Sequence, residues 1–212
     1  MKRPLIRSGI IVGLVLLAAS VTGGAGAHGG QRPTRISDVA FELVGQVINS
    51  APGVTPATSI QYGYVSQLDD LAIFNAGSQN ESTALLTFYT DTVTNRVINN
   101  GPIRIVSRTG RLTIYHDPSA NGSFANPDSF RDGDPILSAV VRQQVILNTP
   151  TGAFTAGNTN TIVDSASFQL GDEEFVLGRV GGVFRTVISG QQASAAPPSA
   201  YMAGYTFSTR RH

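Results

Sequence analysis

The sequence predicts an all-β protein, built on a single antiparallel β-barrel of about eight strands. Three observations lead there. Residues 84–115 are dominated by β-branched and aromatic residues, cut into short pieces by Asn, Gly and Pro. Within that block apolar and polar side chains alternate with a period of two, the mark of strands with one face in a core. Finally, no segment carries a helical period, and no repeat of solenoid length is visible.

Each element follows from its local pattern. Residues 41–48 form a first strand, with Gly45 a bulge or a point of close approach. Two prolines and a glycine make 49–56 a loop. Residues 59–68 form a second strand, continued by 71–75 or followed by them as a third, and 76–82 make a polar turn. In the central block, 85–92 are a strand, Asn99-Asn100-Gly101-Pro102 turn the chain, and 103–108 alternate Ile103, Ile105 and Ser107 with Arg104, Val106 and Arg108. Thr109-Gly110 reads as a further turn into 111–115.

Residues 116–135 are rich in Asp, Asn, Gly, Pro and Ser, but Phe124 and Phe130 call for folding back against the barrel. A long strand over 136–147 ends at the turn Thr149-Pro150-Thr151-Gly152. Residues 153–170 supply one or two strands, followed by 174–177 and 182–188. The stretch 191–200 has the composition of a linker, and 201–207 are a candidate closing strand. Such short strands with close turns fit a sandwich or a barrel. The barrel is preferred because several strands set Arg and Tyr opposite a clean aliphatic face.

Residues 1–27 read as a secretory signal peptide: Lys2, Arg3 and Arg7 precede an apolar run, and Ala25-Gly26-Ala27 supplies small residues for cleavage. The chain is therefore expected to be secreted, with residues 28–38 a flexible leader, 39–190 the barrel domain, and 191–212 a linker and C-terminal tail. Of 15 basic residues, three lie in the signal; the 12 that remain are all arginine, against 14 acidic residues. That balance speaks against nucleic acid as a partner, and no membrane contact is expected after cleavage. The absence of cysteine excludes thiol chemistry and thiolate metal sites. With Lys2 in the signal, no lysine remains for Schiff-base chemistry. The absence of tryptophan lowers the prospect of a glycan-binding surface.

The order of elements resembles the allene oxide cyclase/dirigent β-barrel superfamily over residues 41–188, as a secreted, bacterial-type member. The resemblance rests on Thr-Phe-Tyr-Thr-Asp at 87–91, Arg-Thr-Gly-Arg-Leu-Thr-Ile-Tyr at 108–115, Ser-Phe-Arg-Asp-Gly at 129–133 and Thr-Gly-Ala-Phe at 151–154. It implies an eight-stranded cup for a hydrophobic small molecule, used for ring closure in cyclases and radical orientation in dirigent proteins. It also implies a candidate homo-oligomer, often a trimer. No family catalytic residue is carried over, and no catalytic residue is assigned.

Candidate ligand-binding residues are Tyr89, Arg104, Tyr115 and Arg142, which become handles for a carboxylate or carbonyl if their face lines the lumen. The competing reading is that this face is the solvated exterior. His116 beside Tyr115 is a candidate acid or base, or a loop residue. Asp128, Asp132 and Asp134 are oxygen donors in one loop, but their spacing departs from the EF-hand. His28-Gly29 after cleavage would offer copper an amine and a ring, though only His116 could supply a second histidine within the predicted barrel. Neither pattern is adopted, so no metal and no cofactor is expected. The leading functional reading is a secreted barrel that binds a hydrophobic small molecule in its lumen. A cyclase or isomerase acting by substrate shaping, and a non-catalytic extracellular structural barrel, are the alternatives.

Overall fold

The computed structural model describes residues 35–37 and 39–208, so the segment expected to be a signal peptide, most of the expected leader and the last four residues lie outside it. In chain order the strands are β1 (Arg35–Ser37), β2 (Phe41–Asn49), β3 (Thr58–Leu68), β4 (Leu86–Asn100), β5 (Ile103–His116), β6 (Asp134–Asn148), β7 (Ala153–Ser165), β8 (Ser167–Leu170), β9 (Glu173–Leu177), β10 (Val183–Gln192) and β11 (Ala200–Ser208). Eight of them close a barrel in the order β10-β11-β2-β3-β4-β5-β6-β7, every neighbouring pair antiparallel. The other three make a small sheet, β1-β9-β8.

The tail predicted as a closing strand occupies that position. β11 pairs with β10 from Phe184↔Ser208 to Gln192↔Ala200, and on its other edge with β2. The barrel thus runs beyond residue 190, to Ser208. Two sequence expectations change. Thr109-Gly110 is no turn: β5 runs unbroken through it, and a Cβ on Gly110 would lie 1.8 Å from the Asp91 carbonyl oxygen of β4. The glycine admits a neighbouring backbone instead of reversing the chain. Residues 71–75 form no strand, only the isolated bridge Phe74↔Ala84.

Closure gives every strand an inner and an outer face. Phe41, Leu86, Phe88, Ile114, Leu137, Ile162 and Phe184 fill the lumen towards one end. The small sheet joins the barrel there, between the end of β7 and the start of β10, and Phe168, Leu170, Phe175 and Leu177 belong to the same buried cluster. This end is a packed apolar core. Removing such side chains from water contributes about 1.5–3 kcal/mol each, which suits a chain with no disulfide to stabilise it.

Gly45 shows how tightly the interior is filled. A Cβ there would lie 2.4 Å from the Tyr62 carbonyl oxygen, 2.9 Å from the Phe88 ring and 3.2 Å from the Met202 methyl. Gly45→Ala is expected to destabilise the fold by about 1–3 kcal/mol through overpacking, read as a lower urea midpoint at unchanged slope.

Candidate functional site

The lumen is stratified along its axis. On β6 the inward side chains are Leu137, Ala139, Val141, Gln143, Val145 and Leu147, one polar residue in an aliphatic row. Gln143 faces Gln61 of β3 across the interior and stands beside Asn158 on the adjacent β7. The Gln61 Nε2 donates to Gln143 Oε1 at 3.1 Å, while the Gln143 Nε2 donates to Gln61 Oε1 at 3.2 Å and to Asn158 Oδ1 at 3.1 Å. Next to it the Asn160 Nδ2 donates to Thr186 Oγ1 at 2.9 Å. All five residues are buried. Buried amides are stable only when hydrogen-bonded, and in this belt Gln61, Gln143 and Asn158 bond one another, whereas the Asn160 Oδ1 is buried without a partner.

Beyond the belt lies a second apolar layer at the other end of the barrel. Val47, Val106, Val145, Leu147, Ile188 and Met202 help line a cavity of about 70 Å³, set in a larger void of about 530 Å³ that includes open solvent at the mouth. Arg108 of β5 projects into it. Its guanidinium donates to Asn49 Oδ1 at 3.1 Å and, at 3.5 Å, to Gln143 Oε1, while its Nε is buried without a hydrogen-bond partner. Burial, helped by the neighbouring Arg104, lowers its pKa to about 10, so the group remains a cation. No carboxylate among the described residues lines the cavity. The site therefore holds a positive charge, neutral amides and an aliphatic ring, a set suited to a ligand with one anionic or carbonyl oxygen and an apolar body.

The four residues singled out from the sequence do not converge. Tyr89, Tyr115 and Arg142 point to the outer face; Arg104 shares the inward face of β5 with Val106 and Arg108 but lies exposed at the rim. Tyr89 is buried all the same, because residues 117–133 fold over the outside of β3 and β4. Phe124 and Phe130 from this segment pack on Tyr62, their rings 6.2 and 5.4 Å from it, and Tyr89 lies 6.5 Å from Tyr62. Thr87 Oγ1 donates to the Phe130 carbonyl at 3.0 Å, and the Asp117 carboxylate caps the turn by accepting from the Ser119 and Asn121 backbone. Arg131 lies 4.7 Å from the Tyr89 ring centroid and pairs with Asp128 at 2.7 Å. Burial raises the pKa of Tyr62 and Tyr89, keeping both phenols neutral. This is a packed satellite core.

The remaining candidates fall elsewhere. Asp128 is engaged by Arg131, Asp132 accepts from Asn121 at 3.1 Å, and Asp134 pairs with His116 in the β5–β6 ladder. No group of three or more His, Asp or Glu among the described residues is placed to hold a metal ion. His28 lies outside those residues. His116 ends β5 with its ring 5.5 Å from Phe168, and burial lowers its pKa, only partly offset by Asp134 and Asp117. Sequence reasoning missed Arg108, Gln61 and Gln143 as a unit. The signal for Gln143 was present, since a polar residue interrupts the aliphatic face of a strand, but Gln61, its partner across the lumen, lies on β3, remote in sequence.

Comparison with protein families, with curated proteins and with solved structures finds no match. The site is therefore read from its own geometry.

Two outcomes follow. Gln143→Leu leaves Gln61 and Asn158 short of a buried partner and is expected to lower stability by about 1–3 kcal/mol, measured by urea unfolding. A histidine with a depressed folded-state pKa lets the unfolded chain take up protons first, so stability falls as pH drops below the ordinary value of 6.5. The difference in stability between wild type and His116→Gln is expected to change over that window and to stay flat above pH 7, checked by unfolding at a series of pH values.

Proposed function

We propose that the barrel binds a small amphiphilic molecule at its open end, with a carboxylate or carbonyl oxygen on Arg108 and an apolar body against the aliphatic mouth. The observation that carries this reading is the guanidinium of Arg108, partly buried beside neutral amides, with no acidic residue among the described residues lining its cavity. A fold that needed only a filled interior would be served better by an aliphatic side chain there, because an uncompensated charge withdrawn from water is destabilising. A bound oxyanion would supply the missing counter-charge and a charge-assisted hydrogen bond. The enclosed space takes a head group of a few atoms, and Val145, Leu147 and Phe154 offer the body an apolar wall. This is the cup-like use that the resemblance to allene oxide cyclase and dirigent barrels implies, with the polar handle on Arg108.

The test uses decanoate and decanol as probes, with calorimetry as the readout. Decanoate is expected to bind at least about tenfold more tightly than decanol, the effect of one charge-assisted hydrogen bond. Arg108→Met is expected to erase that preference while raising the urea midpoint of the free protein. Equal binding of acid and alcohol, or no binding of either, overturns the reading. A ligand recovered chemically altered from the protein would make the cup a catalyst.

A further inference from the structure

Gly157 lies in the middle of β7, exposed on its outer face, and nothing about the backbone requires a glycine there. Its φ is outside the left-handed region, and a Cβ would meet no atom within 4 Å. A glycine inside a strand weakens it by comparison with almost any other residue. Its neighbours across the sheet are Gln144 of β6 and Val187 of β10, beside which a β-branched residue would pack well. Glycine in such a place marks close approach by something from outside.

What surrounds it has a definite chemistry. Gly157 is part of the floor of a groove of about 950 Å³ on the outer wall, crossing β4 to β11. Arg142, Thr159, Arg185 and Phe207 follow one another in register across β6, β7, β10 and β11. Arg96 enters from the bulge in β4, and Arg185 is held by a hydrogen bond to the Thr159 hydroxyl. Four arginines thus line the groove, Arg96, Arg142 and Arg185 from the outer face and Arg108 at its border with the lumen, and no carboxylate does, among the described residues, although acidic residues outnumber basic ones beyond residue 27. At one end Tyr205 and Phe207 stand 53% and 44% exposed with ring centroids 6.4 Å apart.

The geometry points to a binding site for an acidic oligosaccharide on this outer wall. Arg142 and Arg185 are two strands apart, on the order of 10 Å, too far for one compact anion and suited to charges on successive units of an extended ligand. Ser107, Thr109, Thr159 and Gln144 supply hydrogen-bonding groups between the guanidinium groups for sugar hydroxyls. The bare backbone at Gly157 lets a sugar ring lie on the sheet. Tyr205 and Phe207 provide the flat apolar faces that tryptophan commonly offers in such sites. A nucleic acid would call for a broad basic surface, whereas acidic residues outnumber basic ones beyond residue 27. The groove and the lumen cavity share Arg108 and Gln143 in the wall between them, and the contacts proposed for the sugar are on the outer face.

The probe is an oligogalacturonate of about eight units, titrated by calorimetry, with a malto-oligosaccharide of equal length and a short DNA duplex as controls. The oligogalacturonate is expected to bind with an affinity that falls with salt, and the neutral chain not to bind. Replacing Arg142 and Arg185 together by Gln is expected to weaken binding at least tenfold, the loss of one or more charge-assisted contacts. Gly157→Thr is the decisive variant: it is expected to raise the urea midpoint and still weaken binding at least tenfold, which a merely structural glycine would not do. Undiminished binding by Gly157→Thr, equal binding of the neutral chain, equal or tighter binding of DNA, or no binding of the oligogalacturonate each overturns the proposal.

Discussion

The structure depends on one strand finding its place. β11 comes from the last part of the chain, yet it is hydrogen-bonded on one edge to β10 and on the other to β2, the first strand of the barrel. Without it both neighbours would present unpaired backbone along their edges and the interior would lie open to water. With it the sheet has no edge, and every residue on it is committed to one side of a closed wall. The Thr206 hydroxyl reinforces the join by accepting from the Phe41 backbone N–H at 2.9 Å and donating to the Val39 carbonyl at 3.0 Å.

Once the wall is closed, alternation becomes a separation of chemistries. Arg142 and Gln143 are adjacent in sequence and lie on opposite faces: one lines the outer groove, the other locks the polar belt across the lumen. Arg108 and Arg104 point inward from a strand whose neighbouring Ser107 and Thr109 point out. The choice of arginine throughout, in a chain with no lysine past its second residue, fits both faces. The guanidinium keeps its charge when partly withdrawn from water and presents several donors in a fixed plane, inside to amide oxygens and outside to hydroxyls. The belt itself has a mechanical consequence: it ties β3, β6 and β7 across the interior, separating the apolar core at one end from the mouth at the other.

The aromatic residues illustrate what a strand pattern leaves open. Tyr89 and Tyr115 stood out as opposite the aliphatic side of their strands, and that much holds. Their surroundings follow from residues 117–133, which carry Phe124 and Phe130 back over the outer wall, so that a face exposed by the logic of a barrel becomes a second core. Gly110 carried a similar ambiguity. Glycine after threonine signals a turn or a close backbone contact, and only the Asp91 carbonyl on the neighbouring strand selects between them. Arg108 shares its parity with Arg104 and Val106, and nothing local marks it off from Arg104, the residue singled out from the sequence, which lies nearer the rim.

By itself the sequence determined the class of the protein. Its β-branched runs, its spacing of turns and its period of two require an antiparallel sheet with sided strands, and those are local properties of the chain. Which side faces inward is a different kind of fact, because a period of two is unchanged when the sheet is turned over. Only tertiary closure decided that Arg108 meets Gln143 inside and that Arg142 meets Thr159 and Arg185 outside. Arg108 and Gln143, like Arg142 and Thr159, pair between consecutive strands, but the side they share is set by closure, where β11 meets β2 and Gln61 of β3 reaches Gln143.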